Sequence, residues 1–203
     1  MKTNSDSYTI IYSAILVIIV AFLLAFVSMS LKSKQDANVA LDVKKQILYS
    51  LNIRDLNDQM AEETYNKVVR DSVVSGLPIY VCDIDGQRKY VIAMKGMGLW
   101  GGISGFVSIN DDKETVYGAY FNHESETAGL GAEIKDSRAW QEKFQGKKLF
   151  QEGVDGIALS VEKKVTDPAT QVDAVTGSTL TSNGVRDMLK NNLGNYIEFL
   201  KQK

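Results

Sequence analysis

The chain has 203 residues, of which 44% are hydrophobic and 24% are charged, a size that suits one globular domain plus an accessory segment. Its formal net charge of −2 provides no basic field to attract nucleic acid, so nucleic acid is excluded as a general partner. The single cysteine, Cys82, excludes an internal disulfide framework and any zinc or iron–sulfur centre built from several cysteines.

The N-terminal segment has no charged residue between Asp6 and Lys32. A helix over residues 8–31 would be about 36 Å long, which exceeds the ~30 Å hydrocarbon core of a bilayer. The alternative is a cleaved signal peptide, since the small residues of "SMS" could form a cleavage site. The apolar run is about twice as long as a signal peptide needs. The sequence therefore favours a retained single-pass anchor over residues 1–34, in contact with membrane lipid.

The next part of the chain changes from helical to strand periodicity. Residues 35–75 have the charge and apolar spacing of a helical stalk that packs on the following domain. Residues 78–94 contain two β-rich runs around Asp85-Gly86, which is a hairpin signal. The runs "ISGFVSIN" and "ETVYGAYFNHE" predict a second pair of strands.

The C-terminal half continues as a mixture of helices and strands. Residues 136–144 predict a short helix with Asp136 as its N-cap, and residues 156–164 predict a further strand. A last helix is expected from about Leu180. Strands grouped between helices, without strict βαβ alternation, predict an α+β fold in which a mixed, largely antiparallel sheet with flanking helices occupies residues 76–203.

A glycine-rich stretch, Gly96 to Gly101, fits the pattern G-x-G-x-x-G of dinucleotide-binding turns. A strand follows it, whereas a dinucleotide site needs a helix whose N-terminus holds the pyrophosphate, so we reject that interpretation. The embedded Trp100 could stack on a planar ligand or pack against the sheet, and the sequence alone favours packing.

A second stretch, "NHESETAGLGAE", places His123, Glu124 and Glu126 close together. A metal site is not supported, because a loop sets no ligand geometry and further ligands are missing. A serine hydrolase is not supported either, because the chain has no G-x-S-x-G motif. We therefore predict no metal site and no catalytic residue, and regard this stretch as a loop whose glycines allow close approach of a ligand.

The third stretch, "DAVTGSTLTSNGV", is rich in hydroxyl side chains and precedes the last helix. Its spacing alone favours helix capping by residues 179–183. A helix start is also a good seat for a phosphate, which a neighbouring hydroxyl could hold as an ester.

Residues 173–181 of this stretch resemble the flavinylation motif D-x-x-[ST]-G-A-T-x-[ST] of proteins that carry covalently bound FMN. In that family a separate flavin transferase takes FMN from FAD and esterifies its phosphate to the last threonine of G-A-T. That threonine corresponds to Thr179, and Ser178 stands where the family has alanine.

The other two stretches resemble segments of the C subunit of the Na⁺-translocating NADH:quinone reductase. "KGMGLWGGISGFVSI" is similar to its G-K-G-L-W segment, and "HESETAGLGAE" to its H-G-E-T-P-G-L-G-G-E segment, with an extra residue before Glu126 and Ala128 in place of proline. The resemblance covers essentially the whole chain. The related G subunit of the Rnf ferredoxin:NAD⁺ complex shares the flavin motif but lacks the Leu99-Trp100 pair, which favours the quinone reductase.

The resemblance implies a membrane-anchored redox carrier that relays electrons within the Na⁺-translocating complex and is not active alone. It implies FMN esterified to Thr179, other membrane subunits as partners, and a flavin transferase as the partner in maturation. The residues implied in cofactor binding are Thr179, Thr176, Gly177, Ser178, Leu180, Thr181, Trp100, Leu99, Glu126, Thr127, Gly129, Leu130 and Gly131.

The resemblance also implies a location in the cell inner membrane with the flavin domain on the periplasmic side. The positive-inside rule gives the opposite side, because Lys32, Lys34, Lys44 and Lys45 follow the apolar segment whereas Lys2 precedes it. We follow the resemblance. The alternatives are the G-type subunit of an Rnf complex and a non-redox anchored interaction domain in which the hydroxyl-rich stretch only caps a helix.

Overall fold

The structure is a computed structural model that describes residues 6–202. It divides into two compact units, one ending at Asp42 and the other beginning at Val43. Helix α1 (Asp6–Ser50) is 45 residues long, and its large apolar side chains from Ile10 to Leu31 are exposed. Among the described residues it is the one helix long and apolar enough to cross a membrane. Lys2, which enters the charge count, lies outside the described residues.

The stretch 35–75 is only partly helical. Helix α2 (Asp58–Val68) follows α1, with Asn57 at its N-cap accepting a hydrogen bond from the backbone N–H of Met60 at 2.9 Å. The last part of the stretch is strand β1 (Val69–Val74), which corrects the expectation of helix there. A two-residue turn with positive φ at Ser75 and Gly76 joins β1 to the next strand, and Ser-Gly is a weaker hairpin signal than Asp-Gly.

The second unit is built on a five-stranded antiparallel sheet whose strand order follows the sequence. After β1 come β2 (Leu77–Ile84), β3 (Gln87–Met97), β4 (Gly102–Asn110) and β5 (Val116–His123). The predicted hairpin forms around Asp85 and Gly86, whose positive φ angles of 53° and 75° are those of a type I′ turn. Both predicted strand pairs are therefore confirmed.

Both faces of this sheet are covered. Side chains of β3 alternate, so that Tyr90, Ile92 and Met94 pack with Val185, Met188 and Leu189 of the C-terminal helix in the main core. Val91 points into the second cluster, with Ile47 and Leu51 at the end of α1. The sheet is thus fixed between helical layers, and this fixes the loops at its ends.

The remaining elements refine the expectations for the C-terminal half. They are α3 (Glu133–Asp136), α4 (Arg138–Glu142), β6 (Ser160–Glu162), β7 (Gln171–Asp173), α5 (Thr179–Gly194) and α6 (Ile197–Leu200). Asp136 is not an N-cap. It ends α3, and the N-cap of α4 is Ser137, whose Oγ accepts from the Trp140 backbone N–H at 3.3 Å. Strand β6 is shorter than expected and pairs in parallel with β7, which the sequence analysis missed. The expected α+β class is confirmed.

An aromatic cluster on β5 and α4 stabilises the second unit. The Phe121 ring lies 5.5 Å from that of Trp140 and 5.0 Å from that of Phe144, between centroids.

We expect Phe121→Ala to lower the free energy of unfolding by about 3–5 kcal/mol, because it leaves a cavity in a closed core. Chemical denaturation measures this. Val73→Ala, at a valine that is 67% exposed, is the control and should change it by less than about 0.5 kcal/mol. A similar loss in both variants would contradict the assignment of the core.

Candidate functional site

Three segments far apart in the sequence meet beside the N-terminus of α5. They are the glycine loop (residues 98–101) between β3 and β4, the β5–α3 loop (residues 124–132), and the β7–α5 loop (residues 174–178). Each contains one of the stretches that the sequence analysis singled out. The fold therefore brings together the three motifs on which the resemblance was based.

The carboxylate of Glu126, in the β5–α3 loop, connects this loop with the glycine loop and with helix α5. Its Oε1 accepts a hydrogen bond from the Trp100 backbone N–H at 2.9 Å, and its Oε2 accepts from the Thr181 hydroxyl at 2.6 Å. Glu126 and Thr181 are both buried, with 8% and 1% of their surface exposed. One carboxylate thus ties the glycine loop and helix α5 to the β5–α3 loop.

The environment of Glu126 keeps it ionised. Burial alone would raise its pKa, but hydrogen bonds from the Thr181 hydroxyl and from the backbone N–H groups of Trp100 and Leu99 outweigh that effect. The nearby His123 contributes in the same direction. The resulting pKa lies below the ordinary value of 4.5, so the charged form holds the site together at neutral pH.

His123 supports the loop that carries Glu126. Its Nδ1 accepts a hydrogen bond from the Glu126 backbone N–H at 3.1 Å. This contact assigns the imidazole a structural role at the end of β5. Within residues 6–202, no group of three or more His, Cys, Asp or Glu side chains is arranged to hold a metal ion.

Two glycines allow the segments to approach this closely. A Cβ at Gly131 would lie 2.7 Å from the Thr181 Oγ1 and in contact with the Glu126 carboxylate. A Cβ at Gly184 of α5 would collide with the Met97 carbonyl oxygen. Any side chain at either position would push α5 away from one of the two loops.

Contacts from the α4 region and from α5 hold the start of the β7–α5 loop. The Trp140 Nε1–H donates to the Asp173 carbonyl oxygen at 2.7 Å, and the Lys143 ammonium contacts both oxygens of the Asp173 carboxylate at 2.9 and 2.7 Å. Two residues after Asp173, the Val175 backbone N–H donates to the Ser182 Oγ of α5 at 3.1 Å. The roles of Trp140 and Lys143 could not be predicted from the sequence, because their contacts with Asp173 span 30 or more residues and leave no local signal.

The hydroxyls of this region have different surroundings. Thr181 and Ser182 are buried and engaged with Glu126 and Val175, whereas Thr176 and Thr179 are exposed. Ser178 is the N-cap of α5 and is buried, and within the described chain its side chain makes no capping hydrogen bond. The hydroxyls are therefore not used mainly for capping, and Thr179 presents an exposed side chain at the first residue of the helix.

Four large apolar side chains of these segments and of the first turn of α5 are exposed instead of being buried. Trp100 is 66% exposed, and Leu99, Leu130 and Leu180 are also exposed. Leu130 lies over Gly177, where a Cβ would be 2.8 Å from its Cδ2, and the positive φ of 75° at Gly177 suits glycine. The neighbouring Gly129 and Thr176 line a cavity of about 260 Å³ that extends to α4.

These features suit FMN. The first turn of a 16-residue helix has backbone N–H groups without intrahelical partners, which favour a phosphate, and the Thr179 hydroxyl lies on that turn. Exposed leucines and an indole suit a planar aromatic ring. The Thr127 carbonyl oxygen accepts from the Leu130 and Ala132 backbone N–H groups and shapes the loop, and its side chain is exposed.

Comparison with known proteins was made at the levels of family, sequence and structure. A family described as an FMN-binding domain matches residues 98–194. The C subunit of the Na⁺-translocating NADH-quinone reductase of Haemophilus ducreyi is 30% identical over 98% of this chain and 97% of its own. That of Neisseria meningitidis serogroup A is 43% identical over 50% of this chain and 40% of its own.

Two solved structures are similar in fold. The C subunit of the Na⁺-translocating NADH-quinone reductase from Parabacteroides distasonis has a TM-score of 0.77 and 36% identity, covering 85% of this chain and 98% of that one. NqrC of Shewanella oneidensis has a TM-score of 0.65 and 18% identity, covering 79% of this chain and 96% of that one. The second likeness is one of fold alone.

The lowered pKa of Glu126 predicts a pH-dependent stability. A carboxyl whose pKa is lower in the folded state stabilises the fold above its unfolded pKa, and this contribution is lost as the pH falls through the folded pKa. We expect Glu126→Gln to lower the free energy of unfolding by about 1–3 kcal/mol at pH 7 and to flatten its decline below about pH 4.5. Denaturant titrations between pH 3 and pH 7 measure both effects.

The control is Glu124→Gln in the same loop. Glu124 is exposed, and its Oε2 accepts a single hydrogen bond from the Gly102 backbone N–H at 3.1 Å. This variant should change stability by less than about 0.5 kcal/mol and keep the acid-dependent decline. Equal pH profiles for Glu126→Gln and the unmodified chain would show that the Glu126 charge does not hold the site together.

Proposed function

Because the chain belongs to the family of C subunits of the Na⁺-translocating NADH:quinone reductase, we propose that it is the membrane-anchored flavoprotein subunit of such a complex. In this role it carries FMN and relays electrons between neighbouring redox centres. Residues 98–194, which match an FMN-binding domain, include the glycine loop, the β5–α3 loop and all of α5.

The observation that carries the proposal is the meeting of the glycine loop, the β5–α3 loop and helix α5 at one buried carboxylate, two residues from an exposed threonine. Glu126 fixes Trp100 and Thr181 relative to each other through bonds of 2.9 and 2.6 Å. Thr179 lies two residues before Thr181, on the first turn of α5, with its side chain exposed. This arrangement supports a bound phosphate and a planar ring at adjacent positions.

We propose Thr179 as the attachment point of FMN. The Thr179 Oγ would form a bond to the phosphorus of the FMN half of FAD, the bridging P–O bond would break, and AMP would leave as the hydroxyl proton is lost. A flavin transferase and its metal would activate the hydroxyl. This agrees with the surroundings of Thr179, because the one histidine of the chain, His123, holds the Glu126 backbone instead.

The chain's own residues would bind and orient the cofactor. Free N–H groups of the first turn of α5 would hold the phosphate, with Thr176, Gly177 and Ser178 shaping the approach. Trp100, Leu99, Leu130 and Leu180 would cover the ring. The flavin supplies one- and two-electron redox chemistry when bound, and the protein supplies position and electrostatics.

The complex and its membrane set the context for this role. We propose that α1 anchors the chain in the inner membrane and that the flavin domain lies on the periplasmic side, with other subunits of the reductase as partners. The chain would not oxidise NADH alone, since its G-x-G-x-x-G stretch leads into strand β4 and not into a helix. We propose residues 1–34 as the anchor, 35–75 as the stalk and 76–203 as the flavin domain.

The attachment point is tested by Thr179→Val, which removes the hydroxyl and nearly keeps the volume. We expect complete loss of covalent flavin with the fold unchanged. The measurement is ultraviolet fluorescence of the denatured protein in a gel, after coexpression with a flavin transferase. Thr166→Val, at an exposed threonine outside the three segments, is the control and should keep the fluorescent band. A band retained in Thr179→Val would move the attachment to Thr176 or Thr181.

The role of the indole is tested by Trp100→Ala. We expect the covalent bond to form normally, and the fluorescence or the reduction potential of the bound flavin to change, because a stacked ring alters the cofactor's electronic surroundings. Both are measured on the purified full-length chain. Val154→Ala, at another exposed apolar side chain away from the three loops, is the control. An unchanged spectrum and potential in Trp100→Ala would show that Trp100 only packs against the protein and does not contact the flavin.

A further inference from the structure

Asp173 is the first residue of the flavin motif and the last residue of β7, yet its side chain contacts the domain's own helix α4 region. Lys143, directly after α4, places its ammonium 2.9 and 2.7 Å from the two Asp173 carboxylate oxygens. Trp140, three residues earlier, donates its Nε1–H to the Asp173 carbonyl oxygen at 2.7 Å. Residues three apart share a helix face, so both contacts come from one side of α4.

This pair of contacts connects the loop to the hydrophobic core. Trp140 is buried and packs against Phe121 and Phe144. The loop that follows Asp173 is anchored again at its far end, where the Thr181 hydroxyl donates to Glu126. The β7–α5 loop, residues 174–178, therefore runs between two fixed elements and ends at Thr179, the first residue of α5.

We propose that Asp173 is a positioning residue for flavin transfer. Its carboxylate binds Lys143 of the same chain and so holds the β7–α5 loop in the shape that presents the Thr179 hydroxyl. It does not contact the transferase. The inference rests on the proposed attachment at Thr179, in which Oγ bonds to the FMN phosphorus of FAD and AMP leaves. It extends that proposal, because the transferase would then recognise the shape of the folded loop and not the Asp173 carboxylate itself.

The size of the effect follows from the exposure of the pair. The Lys143 and Asp173 side chains are 45% and 54% exposed, and such ion pairs make modest contributions. Loss of the pair should therefore slow flavin transfer by about two- to fivefold, without blocking it. A direct catalytic contact would give a much larger loss on one side of the pair only.

The experiment measures initial rates of flavin transfer to the full-length chain in detergent, with purified transferase and FAD, from the fluorescence of the denatured band. We expect Lys143→Met and Asp173→Asn to be slowed by similar factors. The double variant should be no slower than either single variant, because one interaction is lost in all three. Lys143→Arg, which keeps the cation, should recover most of the rate.

The control is Lys135→Met, at an exposed lysine of α3, which should react at the unmodified rate. Thermal unfolding of each variant verifies that the fold is retained. If flavin transfer were slowed in Asp173→Asn but proceeded at the unmodified rate in Lys143→Met, the inference would be overturned, because the transferase would then contact the carboxylate directly. Unchanged rates in both variants would overturn it as well.

Failure of the underlying attachment gives a different result. In that case the unmodified chain would stay unlabelled while a known flavoprotein substrate is labelled by the same transferase. The rates of the Lys143 and Asp173 variants bear on positioning only when the unmodified chain is labelled.

Discussion

The site depends on one buried negative charge. A carboxylate costs free energy when it is removed from water, unless donors surround it, and Glu126 receives hydrogen bonds from a backbone N–H and a hydroxyl belonging to two other segments. Because the buried charge needs these hydrogen-bond donors, it holds the glycine loop and α5 close to the β5–α3 loop. Gly131 and Gly184 are needed next to these contacts, because any larger residue would separate the groups that solvate the charge.

The sheet makes this arrangement possible because it leaves its loops little freedom. β3 and β4 pair along nine positions from Lys89 to Met97, so the glycine loop begins and ends at adjacent points. β5 pairs with β4 and delivers His123 opposite Ile103, next to that loop. Helical layers on both faces prevent the strands from sliding, and α5 packs on β3 in the main core. Exposed apolar side chains at the loops are therefore held in place by elements that are themselves buried.

Local signals were sufficient for much of this architecture. Asp85-Gly86 marked its hairpin, because a type I′ turn requires two residues that tolerate positive φ. The last helix was visible from its apolar spacing. The three motifs could be recognised by resemblance, but their meeting at Glu126 could not be derived, since a carboxylate in a loop has no preferred partner until the chain is folded. Asp136 was misassigned for a similar reason, because Ser137 beside it is an equally good cap. β7 and the Trp140–Asp173 contact depend on pairings across the chain.

The order of the strands has a consequence for how the chain folds. Five strands paired with their sequence neighbours form a meander in which most contacts are local, and such topologies close small loops early. The contact between Glu126 and Thr181 joins residues 55 positions apart and needs α5, near the end of the chain. We expect the sheet to form before this contact does, so that the threonine-bearing turn acquires its shape in a late step. Completion of that turn therefore requires that the sheet beneath it has already formed.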